Sequence, residues 1–122
     1  MNELVEEASH ALIKSIKVRL KRNKKYYIGL TGGLDSRILL GAFKLAGINR
    51  KNLIAYTYGA KNFQEADIAE ILSKKMNIEH IKITLNSLDY IKYVNDGLWA
   101  SSGASIFKHG LHIHMYKNLK DI

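Results

Sequence analysis

At 122 residues, 47% hydrophobic and 25% charged, the chain has the size and composition of one folded domain, which excludes a disordered polymer. No apolar run approaches the ~20 residues that cross a bilayer, and the acidic start MNELVEEASHALIKSIK lacks a signal core, so a cytoplasmic, non-membrane setting is expected. Cysteine is absent, which excludes disulfides, thiolate metal sites and cysteine nucleophiles, while a net charge of +8 calls for an anionic partner.

Leu4, Ala8, Leu12 and Ile16 recur at helical spacing, with Val5 and Ile13 beside them, so residues 3–22 read as one amphipathic helix. Lys14, Lys17, Arg19, Lys21, Arg22, Lys24 and Lys25 concentrate charge at its end. They read either as a solvated helix face and last turn, where cations suit the macrodipole, or as a polyanion-binding patch. Residues 26–31, YYIGLT, form a short β-prone run that meets a turn. Residues 36–47 return to helical spacing and stop at Gly47. A second strand is expected over 53–59, a helix over 65–76 and a third strand over 78–85. Ser87 to Tyr93 reads as helical, Leu98 to Phe107 as a loop, and His109 to Leu119 as a helix. Strands alternating with helices of this length predict an α/β fold. The expected architecture is a three-layer, Rossmann-like parallel sheet with helices on both faces.

Thr31-Gly32-Gly33-Leu34-Asp35-Ser36 lies between the first strand and the next helix. Adjacent glycines let the backbone approach an anion with no Cβ in the way. The first helical amides are unpaired and add the positive end of the dipole. Thr31 and Ser36 place hydroxyl donors at two rims of such a cradle. Asp35 repels a bare phosphate, so a phosphate here implies a divalent cation between them, most naturally Mg²⁺. In an open parallel sheet this turn sits at the carboxyl ends of the strands, where ligands collect. The same residues also fit a plain strand-to-helix turn with Asp35 or Ser36 as the N-cap.

The segment resembles the SGGxDS signature of the PP-loop ATP pyrophosphatases, with Thr31 in place of the first serine. It is distinct from the P-loop, since no Gly-Lys-Ser/Thr follows, and from GxGxxG. IGLTGGLDSRILL is similar to the asparagine synthase branch of that family. So are the preceding helix with its basic end, Tyr56-Thr57-Tyr58-Gly59, and the later Glu65, Asp67, Ala69 and His80. The likeness runs over roughly residues 1–85.

The resemblance implies that Thr31, Gly32, Gly33, Leu34, Asp35 and Ser36 hold the pyrophosphate part of ATP. It places adenine near the backbone of Leu30, Ala55, Tyr56 and Thr57. It implies ATP and Mg²⁺ as cofactors, an aspartate-like carboxylate as substrate and an amine as second partner. A tRNA-modifying PP-loop enzyme and a nucleotide-binding module without turnover are the other readings, and the basic charge suits the former. The absence of cysteine counts against thiolation and the flanks resemble those enzymes less, so a nucleic acid is the less expected partner. The family's later GxGxDE signature and its glutamine-hydrolysing domain do not occur in these residues. A partial domain over 1–122 is therefore expected, whether an expressed piece, a truncated gene product or part of a split protein. An open sheet edge and uncovered apolar surface would then favour self-association.

Of the remaining residues, His109, His112 and His114 read as a chance cluster on a surface helix rather than a metal site. His80 reads as a packing or edge residue. Tyr26, Tyr27, Tyr56 and Tyr58 read as core or rim positions. Trp99, with Ser101, Ser102, Gly103 and Ser105, fits either a substrate-proximal loop or an ordinary connection. Arg37 either faces phosphate or lies on the helix surface.

Overall fold

The computed structural model describes residues 2–104 and 108–120. Its elements run α1 (Asn2–Lys17), β1 (Tyr26–Gly29), α2 (Leu34–Leu45), β2 (Leu53–Gly59), α3 (Gln64–Met76), β3 (Glu79–Thr84), α4 (Ser87–Lys92), α5 (Val94–Ala100) and α6 (Lys108–Lys120). A single 3₁₀ turn, Arg50–Asn52, leads into β2. The fold is α/β, with a three-stranded parallel sheet in the order β1-β2-β3. β1 and β2 pair from Tyr26 opposite Leu53 to Gly29 opposite Tyr56. The chain divides into two compact units, residues 1–57 with 64–81 and residues 58–63 with 82–122.

The first unit contains the core of the sheet. Ile28 and Leu30 from the β1 segment, Leu53 and Ala55 from β2, Leu40 from α2 and Ala69 from α3 form one buried cluster. Phe43, Leu72, Met76 and Ile78 pack around it. The apolar run of β2 is buried on both faces, as a strand between two parallel neighbours requires. α2 and α3 end alike. Gly47 takes φ 81°, where its N–H reaches Lys44 O and the Ile48 N–H reaches Phe43 O, the paired bonds of a Schellman stop. Asn77, at φ 53°, does the same for α3 through Lys74 O and Ser73 O.

Two boundaries differ from the sequence reading. α1 ends at Lys17, not at residue 22. Val18 N still reaches Lys14 O at 3.1 Å, but Arg19 N bonds the closer Ile16 O at 2.9 Å. Leu20 N is shared between Ile16 O and Lys17 O at 3.2 Å each, and Asn23 at φ 60° completes the break. Lys21, Arg22, Lys24 and Lys25 therefore lie beyond the helix, in the loop before β1. At the other end, Leu98 to Ala100 belong to α5 rather than to a loop, and residues 105–107 of that expected loop lie outside the described residues.

In the second unit, α6 packs against α4 and α5, and Lys117 Nζ reaches Asp96 Oδ2 at 3.2 Å. Tyr93 and Met115 are buried there. The His114 ring stacks at a tilt on Tyr93, 5.1 Å between centroids, and the Lys117 ammonium lies 4.8 Å from the same Tyr93 ring. Gly59, the last residue of β2, is there for space. A Cβ on it would lie 2.9 Å from three atoms of the Phe63 ring. Gly59→Ala is expected to destabilise by about 1–3 kcal/mol through overpacking, measured as a lower urea midpoint with an unchanged m-value.

Candidate functional site

β1 delivers the chain to the loop with its last pairing intact, because Leu30 N still donates to Tyr56 O at 2.8 Å. The loop then runs through Thr31, Gly32 and Gly33 into the first turn of α2. Gly33 is the N-cap in extended conformation, φ −70° and ψ 156°, with no side chain capping the helix. The N-cap expected of Asp35 or Ser36 is thus corrected: both lie inside the first turn, one and two residues past Leu34.

Ser36 is the hub of the loop. Its Oγ accepts from Thr31 N at 3.1 Å and lies 3.1 Å from Gly33 O, 3.2 Å from Thr31 O and 3.2 Å from Thr31 Oγ1. Thr31 Oγ1 in turn accepts from Gly33 N at 3.0 Å, a threonine turn onto its own backbone. One assignment satisfies both hydroxyls: Thr31 donates to Ser36 Oγ, and Ser36 donates to a loop carbonyl. The sequence reading put these hydroxyls at opposite rims. The structure brings them together, where they close the loop instead of facing outward.

The donors left for a ligand are backbone amides. Leu34, Asp35 and Ser36 occupy the first turn, where N–H groups have no intrahelical acceptor. Gly33, Leu34 and Asp35 are exposed. Arg37 is exposed too, and its Nε donates to Gly33 O at 3.3 Å, which holds a guanidinium beside the turn. Neither Gly32 nor Gly33 adopts the left-handed region. What they spare is a Cβ. At Gly32 it would come 3.0 Å from Ile68 Cδ1, and at Gly33 it would come 3.1 Å from Thr31 Oγ1.

The strand ends beside the loop are fixed from below. Leu30, Ala55 and Thr57 are fully buried, backbone included, so none of the three presents surface to a ligand in this structure. Tyr56 is half-buried, and its ring lies over Gly29, where a Cβ would come 3.3 Å from the hydroxyl. The Thr57 Oγ1 hydroxyl donates to Leu30 O at 2.7 Å and lies 2.7 Å from His80 Nε2. A threonine hydroxyl has one proton. With that proton on Leu30 O, His80 must donate, so its Nε2 carries hydrogen. His80 on β3 thereby reaches, through β2, the residue that precedes the loop. The signal for it was a hydroxyl within an otherwise apolar strand and a histidine one strand away.

The other candidates divide. His112 and His114 lie on α6, half-buried, and His112 Nε2 meets Tyr58 OH at 3.1 Å. They are packing residues rather than a chance surface cluster, and the His109 side chain lies outside the described residues. Among the described residues no group of three His, Cys, Asp or Glu gathers at metal-binding distance. Trp99 is 89% exposed and lines a shallow groove with Leu98 and Ser102 in the second unit. No helix of the described residues is long and apolar enough to cross a membrane.

A comparison with curated proteins gave no match. The family model of asparagine synthase matches residues 7–121, which include the loop, the strands beside it and α6. The chain belongs to the asparagine synthase family, a family of ATP-using ligases.

Proposed function

We propose that this chain binds ATP with its pyrophosphate part on the loop from Thr31 to Ser36 and serves the adenylation of a carboxylate before amide formation. The observation that carries the reading is the loop itself. A hydroxyl-closed bend with two glycines opens a helix whose first residues, Leu34 and Asp35, are exposed, in a member of a family of ATP-using ligases.

The chemistry of the residues fits an anion. First-turn amides present partial positive charge without any rearrangement, and Arg37 adds a full charge beside them. Asp35, exposed on that turn, is the carboxylate that would hold Mg²⁺, which when bound neutralises phosphate charge. Adenine is assigned to the strand ends beside the half-buried Tyr56, with the buried Leu30, Ala55 and Thr57 holding those ends in place. In the reaction, a carboxylate oxygen of an aspartate-like substrate attacks the α-phosphorus, and the bond to the β-bridging oxygen breaks. Pyrophosphate leaves with that electron pair, held by the loop amides. An amine then attacks the acyl carbon, AMP departs, and the amine's proton is lost to solvent or a base. The contribution of this chain is positioning and charge stabilisation.

Calorimetric titration with ATP and Mg²⁺ tests the reading, followed by a pyrophosphate-release assay with aspartate and ammonia. Gly33→Ala crowds Thr31 Oγ1 and is expected to weaken ATP binding about tenfold, the scale of one lost charge-assisted hydrogen bond. Asp35→Ala is expected to weaken binding only when Mg²⁺ is present. If both variants bind MgATP as the parent does, the loop is not the nucleotide site.

A further inference from the structure

Two grooves open at the amino ends of the strands, in the first unit, away from the loop that follows β1. One, of about 340 Å³, is lined by Lys21, Arg22, Asn23, Tyr26, Asn49 and Asn52, among others. The second, of about 680 Å³, is lined by Asn49, Arg50, Lys51, Asn77, Ile78 and Glu79. Asn49 belongs to both, so the two adjoin.

Charge is concentrated there. Between Glu7 and Glu65 the only acid of the sequence is Asp35, which sits on the loop after β1. Lys21, Arg22, Lys24, Lys25, Arg50 and Lys51 are all exposed in the two connections at the amino end, and among the described residues Glu79 is the one carboxylate lining either groove. A solvated helix face does not account for these cations. α1 stops at Lys17, and Arg50 and Lys51 lie outside any α-helix. Nor are the connections slack. The Tyr26 hydroxyl accepts from Lys21 N and donates to Arg19 O at 3.1 Å, and Asn49 Oδ1 accepts from Lys51 N at 3.0 Å.

From this geometry we infer that the amino end of the sheet is a binding surface for a single-stranded nucleic acid. Phosphates repeat along such a strand and match cations spread over two adjoining grooves. Tyr26 gives the first groove an aromatic wall, and the asparagines give both grooves amide donors and acceptors that suit base edges. A bilayer is flat and presents charge in a plane, which matches a concave lining poorly. This surface stands apart from the nucleotide reading of the loop and does not depend on it.

Fluorescence anisotropy with short labelled oligouridylate and oligothymidylate strands tests the assignment over a range of salt concentrations. Replacing Lys21, Arg22, Arg50 and Lys51 together by glutamine is expected to weaken binding at least about tenfold. It should also make the slope of log K against log salt shallower by about 3. A control replaces Lys61, Lys82, Lys92 and Lys117, all in the second unit, which removes the same formal charge. It is expected to change the affinity less than threefold. Thermal melts of both variants verify folding. Preference for one strand over the other identifies the nucleic acid as RNA or DNA. Equal losses in the two variants, no strand binding by the parent, or tighter binding to phosphatidylserine vesicles than to either strand would overturn the proposal.

Discussion

Thr57→Val is expected to lower the stability of the chain by about 2–3 kcal/mol, because one hydroxyl serves two partners and valine serves neither. The shapes of the two side chains are nearly the same, so the loss is not one of packing volume. Thr57 is 1% exposed. Its removal leaves the Leu30 carbonyl and the His80 Nε2–H without the oxygen that each now meets at 2.7 Å. A buried polar group stripped of its partner costs about 1–3 kcal/mol, and His80, half-buried, falls at the low end because water can reach it. Urea unfolding measures the effect as a lower midpoint. A double-mutant cycle with His80→Ala gives the sharper result, since the double variant should lose less than the sum of the two single losses if the bond exists. Strict additivity within about 0.5 kcal/mol would mean that the histidine and the threonine do not act together. The same variant is expected to weaken ATP binding, because Leu30 leads directly into Thr31.

How far this site could be read from the sequence follows from the range of the interactions involved. The strands and the helices between them were legible, because β-prone runs, helical spacing and the Gly47 stop are local signals. The position of the loop was legible for the same reason, and its glycines marked it. The internal bonding of the loop was not. Thr31 and Ser36 were expected apart as two donors, and nothing local in the sequence marks a hydroxyl five residues away as a partner. The end of α1 was missed because apolar spacing continues past it to Leu20, while the break depends on tightened backbone bonds and on Asn23 at φ 60°. His80 was undervalued because its partner is 23 residues distant, and no periodicity links a histidine on β3 to a threonine on β2.

Ser36→Ala is expected to weaken nucleotide binding about a hundredfold while leaving the melting temperature nearly unchanged. Those two effects separate because Ser36 has little to do with the core. Its Oγ sits within 3.1–3.2 Å of four loop atoms, two of them on Thr31 backbone and one on Gly33. Alanine removes the acceptor for Thr31 N–H and frees the Thr31 hydroxyl that now fixes Gly33 N–H at 3.0 Å. Each freed amide finds water, since the loop is at most part-buried, so global stability changes by well under the several kcal/mol of a core cavity. Binding is different. The amides must hold their directions before the anion arrives, and ordering a loosened loop of this length is an entropic cost of about 1–2 kcal/mol per residue. Two such residues account for a factor of about a hundred. Ser36→Thr, which keeps the hydroxyl, is expected to retain most of the affinity, and Thr31→Ser should be nearly neutral because the turn needs only its oxygen. An alanine variant that binds ATP as tightly as the parent would mean that the closed loop is a structural bend, with its preorganisation irrelevant to any ligand.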